Sequence, residues 1–227
     1  MSEPLRLVVF DVDGTLVDSQ GHIVSSMSAA FSSLDHPVPR RAAVLDLVGL
    51  SLEVLMQRLA PGLGSNDHAR LVQAYKDAYM AEREEAGTAL SSPLYEGALA
   101  CLRHLNALPN VVLGVATGKS KRGLDKLIEG HSLEGLFVTQ QVADFHPSKP
   151  HPAMLHTAIA DAGVDVENTI MVGDTSFDME MAKGARVRSV GVKWGYHSAD
   201  KLQTATRLVD TFDQLQLALN EMWGDQT

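Results

Sequence analysis

Cysteine is almost missing from this chain, with one residue, Cys101, among 227. A single thiol forms no internal disulfide, so a disulfide scaffold is excluded and a reducing compartment, the cytoplasm, is expected. Cationic residues are also short: 19 Lys and Arg against 28 Asp and Glu leave a formal net charge of −9. That balance is wrong for neutralising phosphate backbones, so no nucleic-acid partner is expected. No apolar run approaches the roughly 18 residues of a membrane span, so no membrane partner is expected either. Met1-Ser2-Glu3-Pro4 is polar and lacks the pattern of a secretory signal. No period of solenoid length repeats, and no segment is of low complexity. There are nine histidines, among them His22, His146 and His151, but no pair has the spacing of a zinc site. What remains is an ordinary globular composition, 45% hydrophobic and 21% charged, long enough for one large domain or a domain with an insertion.

The most informative stretch begins at Leu7-Val8-Val9-Phe10 and runs into Asp11-Val12-Asp13-Gly14-Thr15-Leu16-Val17-Asp18-Ser19. Four consecutive apolar residues indicate a strand buried on both faces, as in a parallel sheet. Alternation along an extended chain sends Asp11 and Asp13 toward the same side, where both can face one crevice. Two adjacent carboxylates repel unless a cation neutralises them, so a hard metal ion is the expected partner. The competing structural meaning is that Asp13-Gly14 simply makes a turn.

Behind this strand the periodicity becomes helical, over 22–34, 40–48, 52–59 and about 66–84, and no strand pattern appears before residue 87. Another helix follows Gly97 and ends at Pro109-Asn110. Strands at 111–116, 136–139, 168–172, 187–192 and 207–209 then alternate with helices at 120–129, 152–162, 176–182 and 212–222. That order predicts an α/β fold, a Rossmann-like parallel sheet with helices on both faces, carrying an all-α insertion after the first strand. The expected division is a core of residues 1–19 and 90–227 and a helical unit of residues 20–89. Cys101 falls on an apolar helix face and is expected to be buried.

Parallel sheets bind ligands beyond the carboxyl ends of their strands. The strand ending at Ala116 leads into Thr117-Gly118-Lys119-Ser120, a hydroxyl and backbone N–H groups suited to an anion. The strand ending at Val172 leads into Gly173-Asp174-Thr175-Ser176-Phe177-Asp178, which adds two carboxylates. Lys149 lies in Ser148-Lys149-Pro150-His151-Pro152, where prolines restrict the backbone. Each feature alone has a structural meaning as a cap, a loop acid or a surface lysine. Their coincidence at the strand ends points to chemistry.

With those residues in hand, the whole chain resembles the haloacid dehalogenase-like phosphohydrolase superfamily. Its four motifs appear in order as Asp11-Val12-Asp13-Gly14-Thr15, Thr117, Lys149, and Gly173-Asp174 with Asp178. The Asp18-Ser19, Thr117-Gly118-Lys119 and Lys149-Pro150-His151-Pro152 contexts are similar to the phosphoglycolate-phosphatase-like branch. The resemblance implies that Asp11 is a nucleophile forming an aspartyl-phosphate and that Asp13 is the acid and base. It implies Mg²⁺ held by Asp11, the Asp13 carbonyl and Asp174, with Asp178 behind the ion or reaching it through water. Phosphate would be bound by Gly14, Thr117, Gly118 and Lys149, and the helical unit would be a small cap closing over the site. The implied substrate is a small phosphorylated metabolite and the implied protein a monomer or homodimer.

Asp13 argues against dehalogenation, which needs no second aspartate. A phosphosugar mutase of the β-phosphoglucomutase type is the nearest alternative, followed by a non-catalytic binding or regulatory protein. The Asp13-Gly14-Thr15 context and the cation-free Gly49-Leu50-Ser51-Leu52 cap loop favour a phosphatase over a mutase. That loop also leaves the carboxylate of phosphoglycolate without a basic partner, unless Lys76 or Arg83 reaches the site.

Overall fold

The computed structural model describes residues 3–224. It opens with β1 (Arg6–Phe10) and a helical insertion: α1 (Gln20–Ser33), α2 (Arg41–Leu45), α3 (Leu52–Leu59), α4 (Ser65–Ala86) and α5 (Thr88–Ser91). The chain then alternates through α6 (Ala98–Asn106), β2 (Val111–Thr117), α7 (Lys121–Gly130), β3 (Phe137–Val142) and α8 (Ala153–Ala162). It finishes with β4 (Thr169–Gly173), α9 (Ser176–Gly184), β5 (Arg188–Val192), β6 (Arg207–Val209) and α10 (Phe212–Gly224). Among the described residues the strands form one six-stranded sheet in the order β3-β2-β1-β4-β5-β6. Every pairing is parallel. β1 is therefore central, and the order reverses between β1 and β4, the switch point where ligands of such sheets bind.

The apolar run of β1 is buried on both sides. Val8 and Phe10 join the helices α6, α7 and α10 in one cluster through Leu102, Leu124 and Leu215. Leu7 and Val9 face α8 and α9, against Met154, Leu155 and Met181. The period of two thus puts successive β1 residues into two separate cores, and no alternation is needed in the sequence. Cys101 is fully buried in the first of them, where burial pushes its thiol up to about 12.

Helices α1, α3 and α4 share a third cluster that includes Met27, Phe31, Met56 and Leu71. α1 begins at Gln20, two residues before the sequence expectation. Its N-cap residue, Ser19, makes no side-chain cap bond, because its hydroxyl donates instead to Asp13 Oδ1 at 2.5 Å. The insertion lies closed on the core. Ser51 N donates to Ser148 Oγ at 2.9 Å, and Lys201 Nζ pairs with Asp46 Oδ1 at 2.6 Å. β3 runs three residues past the expected Thr139, to Val142. Its polar residues hide it in the sequence: Thr139 Oγ1 and Gln141 Nε2 both donate to Asp161 Oδ2.

Candidate active site

Asp11 follows the last residue of β1, and its N–H donates to Val172 O of β4 at 2.9 Å. The side chain is therefore fixed at the switch point. After it, the backbone turns sharply: Leu16 N donates to Val12 O at 2.8 Å and Gly14 N to Val17 O at 2.9 Å. Gly14 has φ +84, and a Cβ there would meet Asp174 Oδ2 at 2.2 Å. No other residue fits between the first acid loop and the second.

Asp174 at the end of β4 is held from two directions. Thr15 Oγ1 donates to Oδ1 and Tyr196 N donates to Oδ2, both at 2.8 Å. Asp178, in the first turn of α9, completes a capping box with Thr175, whose N and Oγ1 donate to its Oδ2 at 3.0 and 2.7 Å. Its other oxygen accepts from Lys149 Nζ at 2.6 Å. Lys149 is fully enclosed and also lies 2.9 Å from Asp11 Oδ1. That ammonium faces Asp11 Oδ1 across a fully buried ion pair, and Asp11 Oδ2 is buried without a hydrogen-bond partner.

Oxygen atoms of Asp11, Asp174 and Asp178 lie within 4.8 Å of one another, and all three residues are buried. Three carboxylates with one ammonium make an acid floor in deficit of positive charge. Burial, offset in part by Lys149 and reinforced by Asp178, pushes the Asp11 carboxyl up to about 7. Burial and the neighbouring Asp11 and Asp178 charges push Asp174 well above the usual carboxylate range. For Lys149, burial works against the ammonium, but Asp11 and Asp178 more than offset it and raise its pKa. A hard divalent cation fits this floor: the donors are oxygens, one ammonium compensates only part of their charge, and Asp11 Oδ2 is buried without a partner.

Thr117 ends β2, and its Oγ1 accepts from Lys119 N at 3.2 Å, leaving the hydroxyl hydrogen free. A Cβ on Gly118 would meet Leu50 O at 2.6 Å and Gly49 O at 2.7 Å, so the insertion's loop rests directly on this backbone. Asp11, Asp13, Thr117 and Gly118 line one cavity of about 320 Å³ with residues from α1, α3 and α4. Asp174, Asp178 and Lys149 lie beneath its floor, in contact with Asp11 or with one another. Lys76 and Arg83, undecided from the sequence, both line the cavity.

Several site residues escape the sequence. Lys119 Nζ donates to both Asp13 oxygens, at 2.7 and 2.9 Å, and to Tyr79 Oη of α4 at 3.3 Å. The separation of 106 positions between Asp13 and Lys119 leaves no local signal for this pair. Trp194 Nε1 donates to Thr15 O at 3.0 Å and Tyr196 Oη lies 3.0 Å from Ser19 Oγ. The histidines stay outside the acid floor. His22 stacks on Tyr79 with ring centroids 3.6 Å apart, and His146 Nε2 lies 2.7 Å from Gln141 Oε1.

An open parallel sheet with an acid floor at its switch point, closed by a helical insertion, defines a class: a hydrolytic α/β enzyme acting on an anionic group. The chain belongs to the haloacid dehalogenase-like hydrolase family, whose sequence pattern matches residues 8–192. A probable phosphatase, IndB, of Dickeya dadantii is 36% identical over 92% of this chain and 91% of its own. The tyrosine-protein kinase PtkA of Mycobacterium tuberculosis is 32% identical over 96% of this chain and 73% of its own. A phosphoglycolate phosphatase of Colwellia psychrerythraea is 28% identical over 94% of this chain and 96% of its own. Among solved structures, a predicted phosphoglycolate phosphatase of Haemophilus somnus has a TM-score of 0.83 at 23% identity, covering 96% of this chain and all of the other. Among the described residues no helix is long and apolar enough to cross a membrane.

Proposed function

We propose that the protein is a phosphatase of small phosphomonoesters, dependent on a divalent metal with Mg²⁺ as the expected ion, and that Asp11 carries the phosphoryl group between two steps. The observation that carries this is Asp11 itself: a buried carboxylate whose Oδ1 pairs with Lys149 and whose Oδ2 has no hydrogen-bond partner, in the cavity that Thr117 and Gly118 also line. Asp11 attacks phosphorus, the ester P–O bond breaks, and Asp13 protonates the departing oxygen. A water molecule then gives a proton to Asp13 and attacks phosphorus, breaking the bond to Asp11 and releasing inorganic phosphate. The Thr117 hydroxyl and the Gly118 backbone bind the phosphate oxygens, and Lys149 offsets charge on the transferring group; Gly14, expected from the sequence to bind phosphate, instead spends its N–H on Val17 O and shapes the turn. Asp11, the Asp13 carbonyl and Asp174 would hold the metal, which supplies charge stabilisation for the phosphoryl oxygens. Asp178 gives Oδ1 to the Lys149 ammonium and Oδ2 to two donors of Thr175, whereas each Asp174 oxygen accepts a single neutral bond, which supports a place for Asp178 behind the ion.

Residues 20–89 act here as a cap over a core of residues 1–19 and 90–227, excluding bulk water when closed. The contact of Gly49 and Leu50 with Gly118 supports that role. One buried, unpaired thiol suits the cytoplasm, and the protein is taken as a monomer or homodimer. Phosphoglycolate is one candidate substrate. A mutase or a kinase passes the phosphoryl group to a second acceptor, whereas a phosphatase passes it to water. With Mg²⁺ and a panel of small phosphoesters, release of inorganic phosphate is expected to match substrate loss, with no isomerised or newly phosphorylated product. EDTA is expected to abolish release. Product that retains the phosphoryl group overturns the assignment.

The acid floor also predicts how metal and pH interact. A carboxyl whose folded pKa is raised, as at Asp11, contributes stability that is fully present below its unfolded value and is lost as pH rises through about 7. A cation bound to the ionised floor reverses that loss. The rise in thermal midpoint on adding Mg²⁺ is therefore expected to be larger at about pH 8 than at about pH 5.5. An equal or smaller rise at the higher pH contradicts this placement of the ion.

A further inference from the structure

The space above the acid floor is built for more than a phosphate. The cavity of about 320 Å³ reaches the size of pockets that hold drug-sized ligands, far beyond the needs of a two-carbon acid. The apolar part of its wall on the insertion side includes Leu52 and Leu55 of α3 and Tyr75, Tyr79 and Met80 of α4, with Glu53, Gln73, Lys76 and Arg83 beside them. Leu52, Leu55, Tyr75 and Tyr79 also contribute to the packed interior of the insertion. Met80 does not belong to that interior. It is half-buried and meets the cavity instead, so helix packing leaves its position unexplained.

Three of the four cations that line this cavity are placed unlike a specificity pocket for a second small anion. Lys119 is already engaged by both oxygens of Asp13. Lys76 lies 3.7 Å from Glu53, and both side chains are largely exposed at 45% and 59%. Arg122 is exposed as well. Arg83, half-buried in the last turn of α4, is the cation that a second anion would meet, which makes phosphoglycolate the competing substrate in the test below. The cavity lining is mainly apolar and aromatic, and against it a sugar's hydroxyls would lose their water without enough partners.

We infer that the preferred substrate is a phosphomonoester whose alcohol part is an apolar or aromatic body, seated against Leu52, Leu55, Tyr75, Tyr79 and Met80 with its phosphate on Asp11. This rests on the phosphatase assignment and names the class of leaving group. Binding such a body adds contacts in proportion to its apolar area, so selectivity should rise with chain length.

The test uses ethyl, butyl, hexyl and benzyl phosphate with Mg²⁺, whose leaving alcohols have similar acidity. 2-Phosphoglycolate, glucose 6-phosphate and the general substrate p-nitrophenyl phosphate are run beside them. Expected is a rise in kcat/KM of about tenfold or more from ethyl to hexyl phosphate, below the limit of about fourfold per fully buried methylene. Hexyl or benzyl phosphate is expected to exceed phosphoglycolate and glucose 6-phosphate. Met80→Gln is expected to narrow the hexyl-to-ethyl ratio severalfold, a ratio from which any general loss of activity cancels. A flat or falling alkyl series, or a preference for phosphoglycolate or the sugar phosphate, overturns this inference while leaving the phosphatase assignment standing. Absence of phosphate release from every ester, p-nitrophenyl phosphate included, overturns the assignment and the inference together.

Discussion

Asp11→Asn is expected to lower kcat by roughly a thousandfold or more while leaving the thermal midpoint unchanged or higher. The two halves of this result have different causes. Activity is lost because an amide is a poor nucleophile for phosphorus and cannot take up the phosphoryl group as a carboxylate does. Stability is retained because the ionised carboxylate is costly where it stands. Its Oδ2 is buried without a hydrogen-bond partner, and burial with the Asp178 charge raises its pKa to about 7 despite Lys149. An uncharged isostere removes one of three like charges on the acid floor. Steady-state phosphate release and thermal denaturation of the same preparation check both halves. Residual activity within tenfold of wild type contradicts the nucleophile assignment, and a large fall in midpoint contradicts the electrostatic account of the floor.

Lys149→Met is expected to do the opposite to stability and the same to activity. Lys149 lies between Asp11 and Asp178, at 2.9 and 2.6 Å, with no exposed side-chain surface. Its loss leaves buried carboxylates unpaired, and breaking a buried ion pair from one side costs about 3–5 kcal/mol. Methionine keeps the volume, so the loss is one of charge and hydrogen bonding rather than of packing. Catalysis is expected to fall by a further factor of roughly a hundred to a thousand through lost charge stabilisation. Denaturant unfolding of the metal-free protein measures the first effect. A second substitution, Asp178→Asn, is expected to restore part of the lost stability by removing the acid that Lys149 had satisfied. A double variant no more stable than Lys149→Met contradicts this pairing.

The two variants separate the roles of charges that sequence alone presents as one motif set. The fold was legible wherever burial on both faces left an unmixed apolar run, as at Leu7–Phe10 and Ile170–Val172, because such runs at strand length have few other uses. It was less legible at β3, where Thr139 and Gln141 satisfy each other and Asp161 and so mask a buried edge strand. The start of α1 was obscured for a related reason: Ser19 has the chemistry of an N-cap but spends its hydroxyl on Asp13.

Of the candidate site, the residues at strand ends could be read because the topology gathers strand ends in one place. Asp11, Thr117 and Asp174 come together in that way, and Lys149 reaches them from the loop before α8. Contacts between a loop and the insertion carry no such regularity. The bond from Lys119 to Tyr79 depends on how α4 lies over the sheet, and no local pattern of residues encodes that. The backbone N–H of Tyr196 on Asp174 is equally silent in the sequence, since any residue type supplies an N–H.

The central claim is that Asp11, and no other carboxylate of the acid floor, carries the phosphoryl group. Rapid quenching of the Mg²⁺-loaded enzyme during turnover, reduction with borohydride and peptide mass spectrometry tests it directly, because an acyl phosphate is reduced to the alcohol while free carboxylates are not. Homoserine is expected at position 11 and absent from samples quenched without substrate. Homoserine at position 13, 174 or 178 instead, or at no position while phosphate is still released, contradicts the claim.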